Sequence, residues 1–178
     1  MARKTNRTPA LRDHLRPGLR IVFVGINPGL RSAAVGHHFA GHSNRFWKLL
    51  HESGLVDAPL TYREDWRLPE WGLGLTNIIN RKSAGIDTLG PAEYRAGRAG
   101  LERKLLRYRP RIVAFLGITI VRMLFAPQTP PALGPTPLKL AGIPVFLLPN
   151  PSGRNAHYSY QAMLTAFRTL RKEADSLS

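Results

Sequence analysis

Residues 21–29 read Ile-Val-Phe-Val-Gly-Ile-Asn-Pro-Gly. The first four form a continuous apolar run closed by Gly25, as expected of a strand buried on both faces of a parallel sheet. Residues 112–117, Ile-Val-Ala-Phe-Leu-Gly, repeat the pattern, and residues 145–148 give a third run. Residues 73–79 form a weaker strand, interrupted by glycine. Helical spacing fills the intervals. Phe46, Leu49 and Leu50 share one face after Ser43, and Gly54 stops that helix. Thr61 and Glu64 have capping-box spacing for a short helix. Tyr94, Leu101, Leu105 and Tyr108 line one side of a helix over Pro91–Tyr108, residues 119–125 suit a further helix, and Met163, Leu164, Phe167 and Leu170 mark the last, from about Ser159. Residues 127–137 hold five prolines and read as an exposed loop. Strands alternating with helices imply right-handed crossovers. The expected fold is therefore α/β, a three-layer α/β/α sandwich around a short, mainly parallel four-stranded sheet.

The 178 residues suit one compact domain, placed at 19–178, behind a mobile basic arm or plain tail at 1–18 carrying Arg3, Lys4, Arg7, Arg12 and Arg16. No apolar run is long enough for a membrane span, and the basic start lacks the apolar stretch of a secretory signal. The absence of cysteine excludes disulfides, thiolate nucleophiles and cysteine-ligated metal or iron–sulfur sites. A cytoplasmic, cofactor-free monomer is the expectation, associated with the nucleoid through DNA. Charge is the informative quantity. Lys and Arg total 26 against 11 acids, a net +15, and arginine outnumbers lysine 20 to 6. Guanidinium forks suit phosphate oxygens, so duplex or single-stranded nucleic acid is the favoured partner over a mere solubility charge.

Ligands of open parallel sheets bind beyond the carboxyl ends of the strands. Two such ends carry an Asn-Pro step directly after an apolar run: Gly25-Ile26-Asn27-Pro28-Gly29 and Pro149-Asn150-Pro151-Ser152-Gly153. One such step is ordinary turn chemistry; two on two strand ends exceed what a turn requires. An uncharged amide offers both a donor and an acceptor, able to orient a water or read a base edge.

With these loops in view, GINPGLRSAAVGHHFAGHSNRFWKLL resembles the first motif of the mismatch-specific uracil-DNA and thymine-DNA glycosylases. LPNPSG resembles their second motif, and GLTNIINRKSAG the segment between, so the likeness runs in order from about Ile21 to Leu170. It implies a monofunctional DNA glycosylase that flips uracil or a related base and hydrolyses its bond to the sugar, initiating base excision repair. A hydrolase of free nucleosides and a non-enzymatic nucleic-acid-binding module are the alternatives. Strong salt dependence of binding separates the nucleic-acid readings from the first of these.

By the same resemblance, Asn27 matches the catalytic asparagine that positions the attacking water. Backbone N–H groups near Ile26 and Phe39 are the candidate donors to the departing base, and Phe39 matches the aromatic that stacks on it; a lone phenylalanine is otherwise usually core. Asn150 stands where the more powerful uracil glycosylases carry histidine, and Asn27 where they carry aspartate, implying a slower enzyme with a wider range of bases. Ser152, Gly153, Arg154 and Asn155 match the loop that enters the helix as the base leaves. Arg154 departs from the leucine of the mismatch-specific bacterial pattern, which puts mismatch preference in question. Asp87 is a second catalytic candidate, as base for water or stabiliser of a cationic sugar, against an ordinary capping or surface acid. Ser83 falls beside the pocket without a distinct role. His37, His38 and His42 suggest a metal, but no carboxylate or cysteine accompanies them in the motif and the family chemistry needs none. No lysine occupies a motif position suited to Schiff-base chemistry.

Overall fold

A computed structural model describes residues 10–178. Strands β1 (Ile21–Gly25), β2 (Leu73–Asn77), β3 (Ile112–Leu116), β4 (Gly134–Leu140) and β5 (Ile143–Leu148) form one sheet in the order β2-β1-β3-β5-β4. All neighbours are parallel except β4, which runs antiparallel to β5. Alternate residues of the central strands serve opposite layers. Phe23, Ala114 and Phe146 face helices α2 (Phe46–Glu52) and α5 (Tyr160–Ser176), whereas Val24, Phe115 and Val145 face α3 (Pro91–Tyr108) and α4 (Ile118–Phe125). Both faces are covered, which is why these strands read as unbroken apolar runs.

The sheet has five strands rather than the expected four. The extra one begins inside the proline-rich stretch 127–137, which the sequence predicts to be an exposed loop. Pro135 and Pro137 belong to β4, whose inner residues alternate between exposed and half-buried. Proline cannot donate to a ladder, so it is tolerated on a sheet edge. The register shifts between Pro135 and Lys139, and the hairpin to β5 turns through Ala141 and Gly142, both at positive φ. Such a two-residue turn matches the right-handed twist of paired strands, and the Ala-Gly pair gives only half of its usual sequence signal.

Two shorter helical pieces complete the chain before the site. Helix α1 (Leu30–Val35) follows β1, and a 3-10 segment (Tyr62–Trp71) precedes β2. The latter opens with the expected capping box, in which the Thr61 N–H donates to Glu64 Oε2 at 3.0 Å. Ser159 caps α5 by accepting from the Ala162 N–H at 3.1 Å. Of the expected arm, residues 1–9 and with them Arg3, Lys4 and Arg7 lie outside the described residues. Residues 10–18 lie against the domain: His14 exchanges two backbone hydrogen bonds with Leu75 of β2, at 2.9 and 3.0 Å. No helix among the described residues is long and apolar enough to cross a membrane.

Candidate active site

The carboxyl ends of β1, β2, β3 and β5 open into one cavity of about 1050 Å³. Its lining brings together Ile26, Asn27, Phe39, Asp87, Asn150, Ser152, Gly153, Arg154 and Asn155, the candidates for catalysis, base binding and DNA contact, with Ser83 and His38, whereas His37 and His42 lie outside it. Among the described residues its one lining carboxylate is Asp87, its cations are Arg31, Arg122 and Arg154, and no lysine lines it.

Asn27 leaves β1 on a rigid turn. Its Nδ2 donates twice at 2.8 Å, to the Arg81 carbonyl and to Ser83 Oγ. Ser83 passes its own hydroxyl proton to the Gly85 carbonyl at 2.8 Å, which fixes its oxygen as the acceptor toward Asn27. Both amide protons are thus engaged, so Oδ1 is left to accept a hydrogen bond. The segment supplying these partners is itself held. Arg81 forms an ion pair with Glu93 at 2.8 Å and donates to the Thr88 carbonyl at 3.0 Å. The Arg81 guanidinium and the Gly90 N–H hold the Glu93 carboxyl down at about 2. Ser83 had no role assignable from sequence; its spacing from Asn27 becomes meaningful only when β1 and β2 lie side by side.

Asn150 and the loop after β5 form the opposite wall. Asn150 Oδ1 accepts from the Ser152 N–H at 3.0 Å, which leaves its Nδ2 as a donor. Asn155 braces the loop, donating to the Asn150 carbonyl at 2.9 Å while its Oδ1 accepts from the His157 N–H at 3.0 Å. A side chain at Gly153 would run into Ser43, so only glycine allows the loop to pass there. Arg154 is exposed and reaches across the mouth to donate to the Ala84 carbonyl at 3.0 Å. Asp87 sits exposed on the rim, in the turn Ile86–Thr88.

Sequence reasoning missed Asn77. It ends β2, is buried at 8% exposure and lines the cavity, and its amide makes no hydrogen bond among the described residues. Gly25 makes room for it, since a Cβ there would stand 2.5 Å from Asn77 Oδ1. The available signal was an amide closing a strand adjacent to the one that ends before Asn27.

Phe39 is half-buried, with its backbone in the left-handed region at φ 53°. Its ring packs on Phe46 with centroids 4.2 Å apart. Next to it, the carboxylate that the histidine motif lacks in sequence is supplied in space by Asp65. Asp65 is almost fully buried, and accepts from His37 Nδ1 at 3.0 Å, from the His38 backbone N–H at 2.9 Å and from His14 Nε2 at 3.3 Å. Burial alone would raise this carboxyl, but the three N–H donors outweigh it and bring it down to about 2. Burial lowers His38 and keeps that ring neutral near pH 7. His14, His38 and Asp65 place ligand-type atoms within 4.8 Å of one another, and Asp65 Oδ1 already faces His37 and His14 while Oδ2 accepts from the His38 backbone.

The model of the uracil DNA glycosylase superfamily matches residues 12–171. The solution structure of a candidate uracil DNA glycosylase from Methanosarcina acetivorans superposes with a TM-score of 0.64 at 18% identity, covering 92% of this chain and 98% of that one. That likeness is one of fold.

Proposed function

This chain belongs to the uracil DNA glycosylase superfamily, a family of N-glycosylases acting on DNA, and on that premise we propose that it is a monofunctional enzyme of the mismatch-specific type. Its substrate is uracil, extended to related bases, swung out of duplex or single-stranded DNA. The observation that carries the proposal is the doubly engaged Asn27 amide nitrogen, which turns Oδ1 into a fixed acceptor for one water.

In this reading the flipped base lies on Phe39, with the Asn77 and Asn150 amides at its edge. The glycosidic bond breaks first, and its electron pair stays on the base. Donors fixed in advance, the backbone N–H groups at Ile26 and Phe39 and the Asn150 amide, stabilise that developing anion. The water held by Asn27 then adds its oxygen to the cationic sugar carbon and loses a proton. Asp87, the carboxylate on the rim, favours the sugar cation and accepts that proton. An intact abasic site remains, consistent with a cavity that no described lysine lines. Arg31, Arg122 and Arg154 bind flanking phosphates, and Arg154 fills the space the base vacates.

The test is base release from oligonucleotides carrying U:G, U:A, T:G or single-stranded uracil, read after alkaline cleavage. Asn27→Ala is expected to slow release by roughly 100-fold or more, the scale of losing a fixed catalytic contact, while abasic-DNA affinity changes little. Asp87→Ala is expected to cost about 10-fold or more, in the range of a positioned acid or base. Full activity of the Asn27 variant would remove it from the mechanism. A U:G substrate cleaved no faster than U:A would remove mismatch preference.

A further inference from the structure

The residue that carries the base platform has an unfavourable backbone. Phe39 sits at φ 53°, a region that side chains other than glycine, asparagine and aspartate rarely occupy. Such a conformation persists only where its surroundings over-determine it. They do so on both sides.

On the amino side, the peptide groups of residue 38 are held at both ends. The N–H donates to Asp65 Oδ2 at 2.9 Å, and the carbonyl accepts from Trp47 Nε1 at 3.3 Å. The His38 ring pairs with the Arg12 carbonyl at 2.9 Å. On the carboxyl side, the Ala40 N–H donates to Ser32 Oγ at 3.0 Å, and its carbonyl accepts from Arg31 Nε at 2.7 Å. Asp65 and Ser32 come from different elements, the 3-10 segment and α1, and are 1% and 7% exposed. They therefore act as two fixed points with one strained residue between them.

We infer that Asp65 and Ser32 are positioning residues for base excision, holding the backbone N–H groups of residues 38 and 40, the neighbours of Phe39 on either side, so that its ring stands as a preformed platform for the flipped base. This rests on the proposed role of Phe39 as that platform. Neither side chain needs to touch the substrate. Loss of either clamp lets residue 39 relax toward ordinary backbone, and the ring moves out of its stacking position before DNA binds.

A double-mutant cycle tests this, with the single-turnover rate of uracil release at saturating enzyme as the readout. Phe39→Ala alone is expected to lower that rate. Asp65→Asn and Ser32→Ala, each with Phe39 present, are expected to lower it roughly 10- to 100-fold, the scale on which small misplacements of a bound group act. Abasic-DNA affinity measured alongside should change by less than about 3-fold, on the scale of sites that do not couple. In the Phe39→Ala background the same substitutions should change the rate by less than about 2-fold, because there is no ring left to position. If Phe39→Ala leaves the rate unchanged, the platform reading fails and the clamp with it. If Phe39→Ala slows release but the second substitution multiplies the loss in full, the platform stands and the clamp is overturned. Should Asp65→Asn fail to fold, Ser32→Ala, which removes one hydroxyl, decides the matter by the same two comparisons.

Discussion

Asn27 presents its carbonyl oxygen to the cavity because its amide nitrogen has no freedom to do otherwise. An asparagine amide can flip end for end about its last torsion, and a flip here would set the Asn27 carbonyl against the Arg81 carbonyl, oxygen to oxygen. Ser83 alone would permit that flip, since a hydroxyl can either donate or accept. Its proton, however, is committed to the Gly85 carbonyl at 2.8 Å. Ser83→Ala should therefore leave Asn27 with one partner and a less defined orientation. The expected result is a fall in single-turnover rate of about 10-fold, equivalent to roughly 1.4 kcal/mol, with little change in DNA affinity. A loss of affinity with an unchanged rate at saturation would place Ser83 in binding instead. This pairing was out of reach of the sequence, where 56 positions separate the two residues and neither is unusual alone.

At the scale of elements, what the sequence made legible were the pieces whose surroundings are uniform. β1 and β3 are covered on both faces, so their apolar runs carry no ambiguity, and α3 matches its expected span of Pro91–Tyr108. β4 was hidden because an edge strand obeys weaker rules: its prolines signal a loop, yet the edge tolerates them. Helix α1, six residues long, offers too few positions for a period to show. Asp65 was unreadable for another reason. Its three partners come from residue 14 and from residues 37 and 38, so only the packed chain reveals them. The loop after β5 gives a prediction at this scale. Arg154 spans the cavity mouth to Ala84, and in the proposed reaction that bond is exchanged for contacts with DNA as a base enters. If its guanidinium then fills the gap in the stack, Arg154→Ala should slow release from duplex substrates more than from single-stranded uracil. Equal losses on both would mean that it only contacts phosphate.

For the whole molecule, Asp65 ties three distant parts of the chain together: the segment before β1, the loop carrying Phe39, and the 3-10 segment before β2. Its carboxyl is held at about 2 in the folded state, against an unfolded value near 3.9. A group with a lowered folded value stabilises the fold fully above its unfolded pKa, and that stability disappears as pH falls toward the folded one. The expected contribution is about 2 kcal/mol, lost between roughly pH 4 and pH 2. Urea midpoints measured across that range should fall more steeply for the parent protein than for Asp65→Asn, and parallel curves would show that the acid transition lies elsewhere. The sheet has two borders, and among the described residues each carries a feature that discourages a further strand. At one, the segment carrying His14 already takes both backbone groups of Leu75. At the other, Pro135 and Pro137 of the edge strand β4 have no N–H to donate to any partner. A net charge of +15 favours accumulation on polyanions such as nucleic acid, which raises the local concentration of the protein. Under those conditions a bare strand is a template for self-association and amyloid-like stacking, and a bridged or proline-bearing border is a poorer template for it.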